Sequence, residues 1–145
     1  MYNMVMKKLF LEKSVEINAP ASKVWKVLTD PAQEYSKEWR HDSVTLESDW
    51  KLGSPMHWKF GNGISAEGKI LAIKPYTLLS FSFKGGAPHP VDETFRLKES
   101  EEHTTLTVLI GDFGKDSTLK LYYYPRAVEA WDKYFLPKIK ELAEK

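Results

Sequence analysis

Glu93 is an acidic residue at an apolar strand position. In VDETFRLK it shares a face with Val91, Phe95 and Leu97, while Asp92, Thr94, Arg96 and Lys98 take the other. A carboxylate facing inward needs a partner or stays protonated. There it would orient a ligand or act as a general base. The competing reading places Glu93 at a frayed strand end beside the loop Gly85-Gly86-Ala87-Pro88-His89-Pro90, in reach of water. That reading is preferred, because carboxylates are rarely buried unpaired. Lys13 and Thr104 also interrupt apolar faces and are expected near a rim.

Other chemistry finds little support. The four histidines, at 41, 57, 89 and 103, are scattered, lack helical metal spacing and form no HExxH motif. They are expected at the surface. There is no Cys and no GxSxG, so thiolate and serine-hydrolase chemistry are not indicated. Gly61-Asn62-Gly63 is followed by no helix start or P-loop lysine and reads as a hairpin turn. No catalytic residue, metal or cofactor is therefore assigned. With 21 basic and 20 acidic residues the net charge is +1, too weak a field to hold nucleic acid through its phosphates. The start, MYNMVMKKLFLEK, has no signal-like apolar run, and no segment approaches a membrane span. A cysteine-free chain of this kind suits a cytoplasmic location.

These residues are positioned by a distinctive order of elements. Lys7 to Asn18 reads as a strand with Leu9, Leu11, Val15 and Ile17 on one face. Pro20 follows, and Ala21-Ser22 is expected to cap a helix running to about Thr29, stopped by Asp30-Pro31. A second helical turn is expected over Ala32 to Lys37. Strands then recur at Ser43–Ser48, Pro55–Phe60, Ser65–Lys74, around Leu79–Phe83, around Val91–Leu97 and around Thr104–Ile110. Gly68 marks a bulge or a close approach, and Glu99 to Glu102 reads as a solvated turn. Val128, Trp131, Phe135, Ile139 and Leu142 form one stripe of a long final helix. Pro125 is its first position or a kink, and Pro137 should bend it.

Many short antiparallel strands need a cover, and the final helix is the only element large enough. The expected fold is therefore α+β: a curved antiparallel sheet of about seven strands wrapped on a long C-terminal helix, with one or two short helices after strand one. A straight rod on a curved sheet leaves space at one end. Aromatic residues make up 13% of the chain, enough to fill a core and also line such a space. The candidate walls are Trp58, Phe60, Phe81, Phe83, Phe95, Val108, Trp131 and Phe135, with Glu93 as the polar group. Trp39, Trp50 and Tyr122 to Tyr124 come from less regular segments, where close helix packing is preferred over a lid.

Four segments carry a family resemblance: Val15-Glu16-Ile17-Asn18-Ala19-Pro20 with Val24-Trp25; Leu28-Thr29-Asp30-Pro31 with Trp39; Gly68-Lys69-Ile70 running to Pro75; and Ala130-Trp131 to Leu142. Across the whole chain, taken as one domain, they resemble the START-like superfamily, also called SRPBCC or birch-pollen-allergen-like. Within it they are most similar to the group named after the activator of the heat-shock-protein ATPase. The resemblance implies a helix-grip fold with an apolar cavity against the C-terminal helix. It implies no single function, since members include lipid and polyketide binders, cyclases, hydrolases and co-chaperone domains. The name-giving co-chaperone carries this fold as one of two domains.

The leading expectation is binding of a hydrophobic small molecule in that cavity. A cavity enzyme of cyclase or hydrolase type using Glu93 is the alternative. A protein-interaction module with a chaperone partner and a closed interior is the third.

Overall fold

The computed structural model describes residues 7–145, so the reading of residues 1–6 as free of a signal sequence lies outside them. Seven strands form one sheet: β1 Leu11–Ile17, β2 Val44–Ser48, β3 Pro55–Phe60, β4 Ser65–Lys74, β5 Leu78–Lys84, β6 Val91–Ser100 and β7 His103–Gly111. The order is β1-β7-β6-β5-β4-β3-β2, and every pair is antiparallel. Strands β2 to β7 thus meander, each beside its predecessor. Only β1 travels far along the chain to pair with β7.

Turn chemistry sets the register. Gly63 takes φ +88°, and Ile64 N–H donates to Asn62 Oδ1 at 3.0 Å. Glu101 and Glu102 both have positive φ. This makes a two-residue hairpin whose twist suits the strands. The solvated turn is therefore shorter than expected, and β6 continues through Ser100, opposite His103. Gly68 is a close approach: a Cβ there would lie 1.9 Å from the Ser82 carbonyl oxygen and 3.0 Å from the Trp58 ring. The irregular register in β4 falls a little further on, between Ile70 and Ala72.

Helix α1 spans Ala21–Leu28, with Pro20 and not Ala21 or Ser22 at its N-cap. No side chain of that segment caps it. The Ala21 N–H donates instead to the Glu99 carboxylate at the end of β6, which places negative charge at the helix N-terminus. The second helical turn lies later than expected, as a 3-10 turn Glu34–Ser36 followed by α2, Lys37–Arg40.

The C-terminal helix runs continuously over residues 117–143. It alternates between π-helical stretches, Leu119–Tyr123 and Ala130–Phe135, and α-helical ones, Tyr124–Glu129 and Leu136–Ala143. Each π stretch comes just before a proline, Pro125 or Pro137. A proline ring collides with the carbonyl four residues back and brings no N–H. Wider turns precede both prolines, so the chain stays helical through Pro137.

Alternate residues of the strands face this helix. Leu46, Met56, Ile70, Leu79, Phe95, Leu106 and Val108 are buried in one cluster with Trp131, Leu136 and Ile139. Thr104 is fully buried and not at a rim. Its hydroxyl donates to the Ala19 carbonyl at 2.8 Å, which satisfies it at depth. Lys13 is half-buried and pairs with Asp132 at 3.5 Å. The far end of the helix is tied down. Asn18 N–H donates to Glu144 Oε2 at 2.7 Å, and Lys140 Nζ donates to the Glu16 carbonyl at 3.0 Å. With that end fastened to β1, the free space lies under the other half of the helix.

Candidate functional site

Strand β6 carries Glu93 on the concave face, opposite Phe81 of β5 and Ile110 of β7. The strand does not fray there. Glu93 borders a pocket of about 310 Å³ between the sheet and the helix. Phe83, Val91, Ile110, Trp131 and Phe135 supply its apolar sides, with Ala127 and Ala130 leaving room on the helix. The loop Gly85, Gly86, Ala87 and His89 borders it, as do Trp39, Arg40, Tyr123 and Arg126. Behind it lies a chamber of about 30 Å³ lined by Gln33, Tyr35, Ser36, Trp58 and Phe81. Arg40, Phe83, Glu93, Trp131 and Phe135 border both.

The expectation of a frayed strand end at Glu93 is thus corrected: the strand is paired on both sides there, and Glu93 is half-buried at the pocket. Although Glu93 keeps some accessible surface, desolvation by the packed side chains around it raises its carboxyl to about 7, against the pull of Arg40 in the other direction. Apolar neighbours disfavour the charged form, and no salt bridge within 4 Å joins it to Arg40 among the described residues. Arg40 is exposed as a whole residue, but its guanidinium stacks over the Phe60 ring at 4.8 Å. Desolvation lowers its pKa from the ordinary value, and a guanidinium still remains charged at neutral pH. Burial, then the nearby Glu93, raises the Tyr35 phenol.

The aromatic walls brace one another. Trp58 meets Phe83 edge-on at 4.9 Å, Trp131 meets Phe135 edge-on at 5.0 Å, and Tyr35 meets Phe135 edge-on at 5.7 Å. Such geometry fixes ring orientation as well as burying area. Of the expected wall residues, the structure brings Trp58, Phe81, Phe83, Glu93, Trp131 and Phe135 to the two chambers. Phe60, Phe95 and Val108 line neither. Phe60 supports Arg40. Phe95, 1% exposed, lies between Phe81 and Trp131, with Val108 paired to it and fully buried.

Sequence reasoning missed Gln33, Tyr35 and Arg40. Gln33 is buried with φ 48°. Its amide donates to the Asp30 carbonyl at 2.8 Å and the Leu28 carbonyl at 3.2 Å, and its Oε1 accepts from the Tyr35 hydroxyl at 3.0 Å. The available signal was the spacing of Tyr35 and Trp39, four apart on one helical face, with Arg40 next to them. Trp39 borders the pocket and packs on Tyr134 at 5.3 Å.

All four histidines are exposed. His89, at the mouth, has Nε2 3.2 Å from Asp116 Oδ2. Among the described residues no cluster of three or more His, Cys, Asp or Glu could hold a metal. No described helix is long and apolar enough to cross a membrane.

Several solved structures share the fold. A Cytophaga hutchinsonii protein is 25% identical, with a TM-score of 0.70 over 97% of both chains. The Aha1 dimer of Colwellia psychrerythraea is 17% identical, with a TM-score of 0.72 over 94% of this chain and 96% of that one. An HSP90 activator of Plasmodium falciparum is 18% identical, with a TM-score of 0.70 over 92% of this chain and 94% of that one. No curated protein sequence gives a significant match. The sequence model of the Activator of Hsp90 ATPase homolog 1-like proteins matches residues 18–144. With that match over most of its length and the helix-grip architecture around it, the chain belongs to the Activator of Hsp90 ATPase homolog 1-like family of START-like proteins.

Proposed function

We infer that the protein binds an apolar small molecule in the pocket beside Glu93. The observation that carries this reading is the pocket's construction. Phe83, Trp131 and Phe135 stand on a braced aromatic wall around about 310 Å³ of space, at the helix end that the Glu16 and Asn18 tethers leave free. Covering ~250 Å² of apolar ligand surface at ~25 cal/mol per Å² contributes ~6 kcal/mol. Taken alone this corresponds to a Kd of ~40 μM, and association costs move it toward the ~millimolar range, so a preformed wall and a polar contact are what tighten it. Phe60, Phe95 and Val108 then act from behind, by holding Arg40 and the wall in place.

Native mass spectrometry of freshly purified protein tests this reading. A co-purified species of small-molecule mass, displaced by a neutral naphthalene, supports it. A protein that carries nothing and binds no naphthalene contradicts it. Phe83→Ala is expected to weaken naphthalene binding, and unchanged affinity in a folded variant removes Phe83 from the wall.

Glu93 supports a second reading. A carboxyl poised near neutrality in a sheltered pocket suits a general base for a cyclase- or hydrolase-type step. Turnover that survives Glu93→Gln rules this out. Engagement of an Hsp90-type chaperone is a third reading, supported by the family and by exposed Leu121 and Tyr122 in the same turn as Tyr123. Its test is whether Leu121→Glu abolishes binding to the purified chaperone. A cytoplasmic site of action fits all three.

A further inference from the structure

The polar groups around the inner chamber are mostly committed to one another. The Tyr35 hydroxyl donates to Gln33 Oε1 at 3.0 Å, and the Ser36 hydroxyl donates to the Gln33 carbonyl at 3.0 Å. The Gln33 amide is engaged by the Leu28 and Asp30 carbonyls. At the mouth, Arg126 donates to the Tyr122 carbonyl and stacks on its ring, and His89 faces Asp116.

Two ionisable groups that border both chambers are left over, and with them the Trp131 indole N–H, which also enters no hydrogen bond among the described residues. No hydrogen bond among the described residues engages the Glu93 carboxyl or the Arg40 guanidinium. Nor, among the described residues, is any sealed side-chain polar atom without a partner. The Glu93 oxygens therefore face the pocket space. One of the two groups accepts hydrogen bonds when ionised, and the other only donates.

At pH 8, where Glu93 is ionised, an anionic ligand head would pair with Arg40 and be repelled by Glu93. A cationic head would do the reverse. A head that donates and accepts within one uncharged group satisfies both, and a carbonyl or hydroxyl oxygen with two lone pairs has room for the Trp131 N–H as well. We propose that the pocket selects an uncharged, apolar-bodied molecule whose single head group, a carboxamide or hydroxyl, donates to Glu93 and accepts from Arg40. This specificity rests on the apolar-binding reading above and adds a ligand class to it.

The test compares four probes of one skeleton at pH 8: 2-naphthamide, 2-methylnaphthalene, 2-naphthoate and 2-naphthylmethylammonium, by calorimetric or fluorescence titration. The wild-type protein is expected to bind 2-naphthamide at least about tenfold more tightly than 2-methylnaphthalene, the scale of one well-made pair of hydrogen bonds. That preference is expected to collapse in Glu93→Leu and in Arg40→Met. Both variants are first checked for a wild-type circular dichroism spectrum and cooperative unfolding. Glu93→Gln keeps an acceptor oxygen and is expected to retain part of the preference. Tightest binding of the naphthoate or the ammonium overturns the proposal, as does an amide preference that persists in both Glu93→Leu and Arg40→Met. Binding of 2-methylnaphthalene with no amide preference also overturns it, but leaves the apolar-binding reading standing. No binding of any probe overturns both.

Discussion

Replacing Glu93 by Gln should change how stability depends on pH. Burial raises the Glu93 carboxyl from 4.5 to about 7 in the folded protein. Between those values the folded chain holds a proton that the unfolded chain has released, so stability falls as pH rises. The extra stability is fully present below about 4.5 and lost above about 7. A rise of ~2.5 units at ~1.4 kcal/mol per unit amounts to ~3 kcal/mol across the window. Of the groups facing Glu93, Arg40 stays positive throughout, and the Tyr35 phenol is raised further from the window. The difference between wild type and Glu93→Gln therefore isolates one carboxyl. Urea unfolding of both proteins at half-unit steps from pH 4.5 to 8.5 measures it. The wild type should lose ~3 kcal/mol more than the variant, and the side-chain carboxyl carbon of Glu93 should titrate near neutrality by NMR. Parallel stability curves, or a carboxyl titrating near 4.5, would refute the account of Glu93 as a sheltered acid.

Gly68→Ala puts a methyl group 1.9 Å from the Ser82 carbonyl oxygen. It should cost ~3 kcal/mol of stability by urea unfolding, because the obstacle is backbone and cannot swing away. Ala127→Trp should fill the pocket from the half-buried helix face and abolish naphthalene binding with little change in unfolding midpoint; full affinity in that variant would move the binding site elsewhere. Glu99→Ala removes the carboxylate that accepts from Ala21 N–H at the start of α1. A loss of ~1 kcal/mol is expected, and an unchanged midpoint would show that the cap contributes nothing.

What was legible in the sequence follows from periodicity. Alternation of the type Met56, Trp58, Phe60 locates strands well, and Pro55–Phe60 and Ser65–Lys74 fall where the pattern places them. The helical stripe through Trp131, Phe135 and Ile139 is buried as expected. Parity also singled out Glu93 but could not decide between water and pocket. That choice depends on β7 and the helix packing over β6, a matter of tertiary contact. The segment Gln33–Arg40 was the least legible. Its structure relies on a left-handed Gln33 and on hydrogen bonds to the Leu28 and Asp30 carbonyls, which no local propensity encodes. The cap of α1 was hidden for a similar reason: its acceptor, Glu99, comes from 78 residues away.

Binding to the pocket is tested most directly by NMR mapping of the isotope-labelled protein with 2-methylnaphthalene. Saturable shift changes should centre on Phe83, Ala127, Ala130 and Trp131 and vanish in Ala127→Trp. Changes confined to the exposed Leu121–Tyr122 turn, or no saturable change at all, would contradict the assignment of this space as a ligand site.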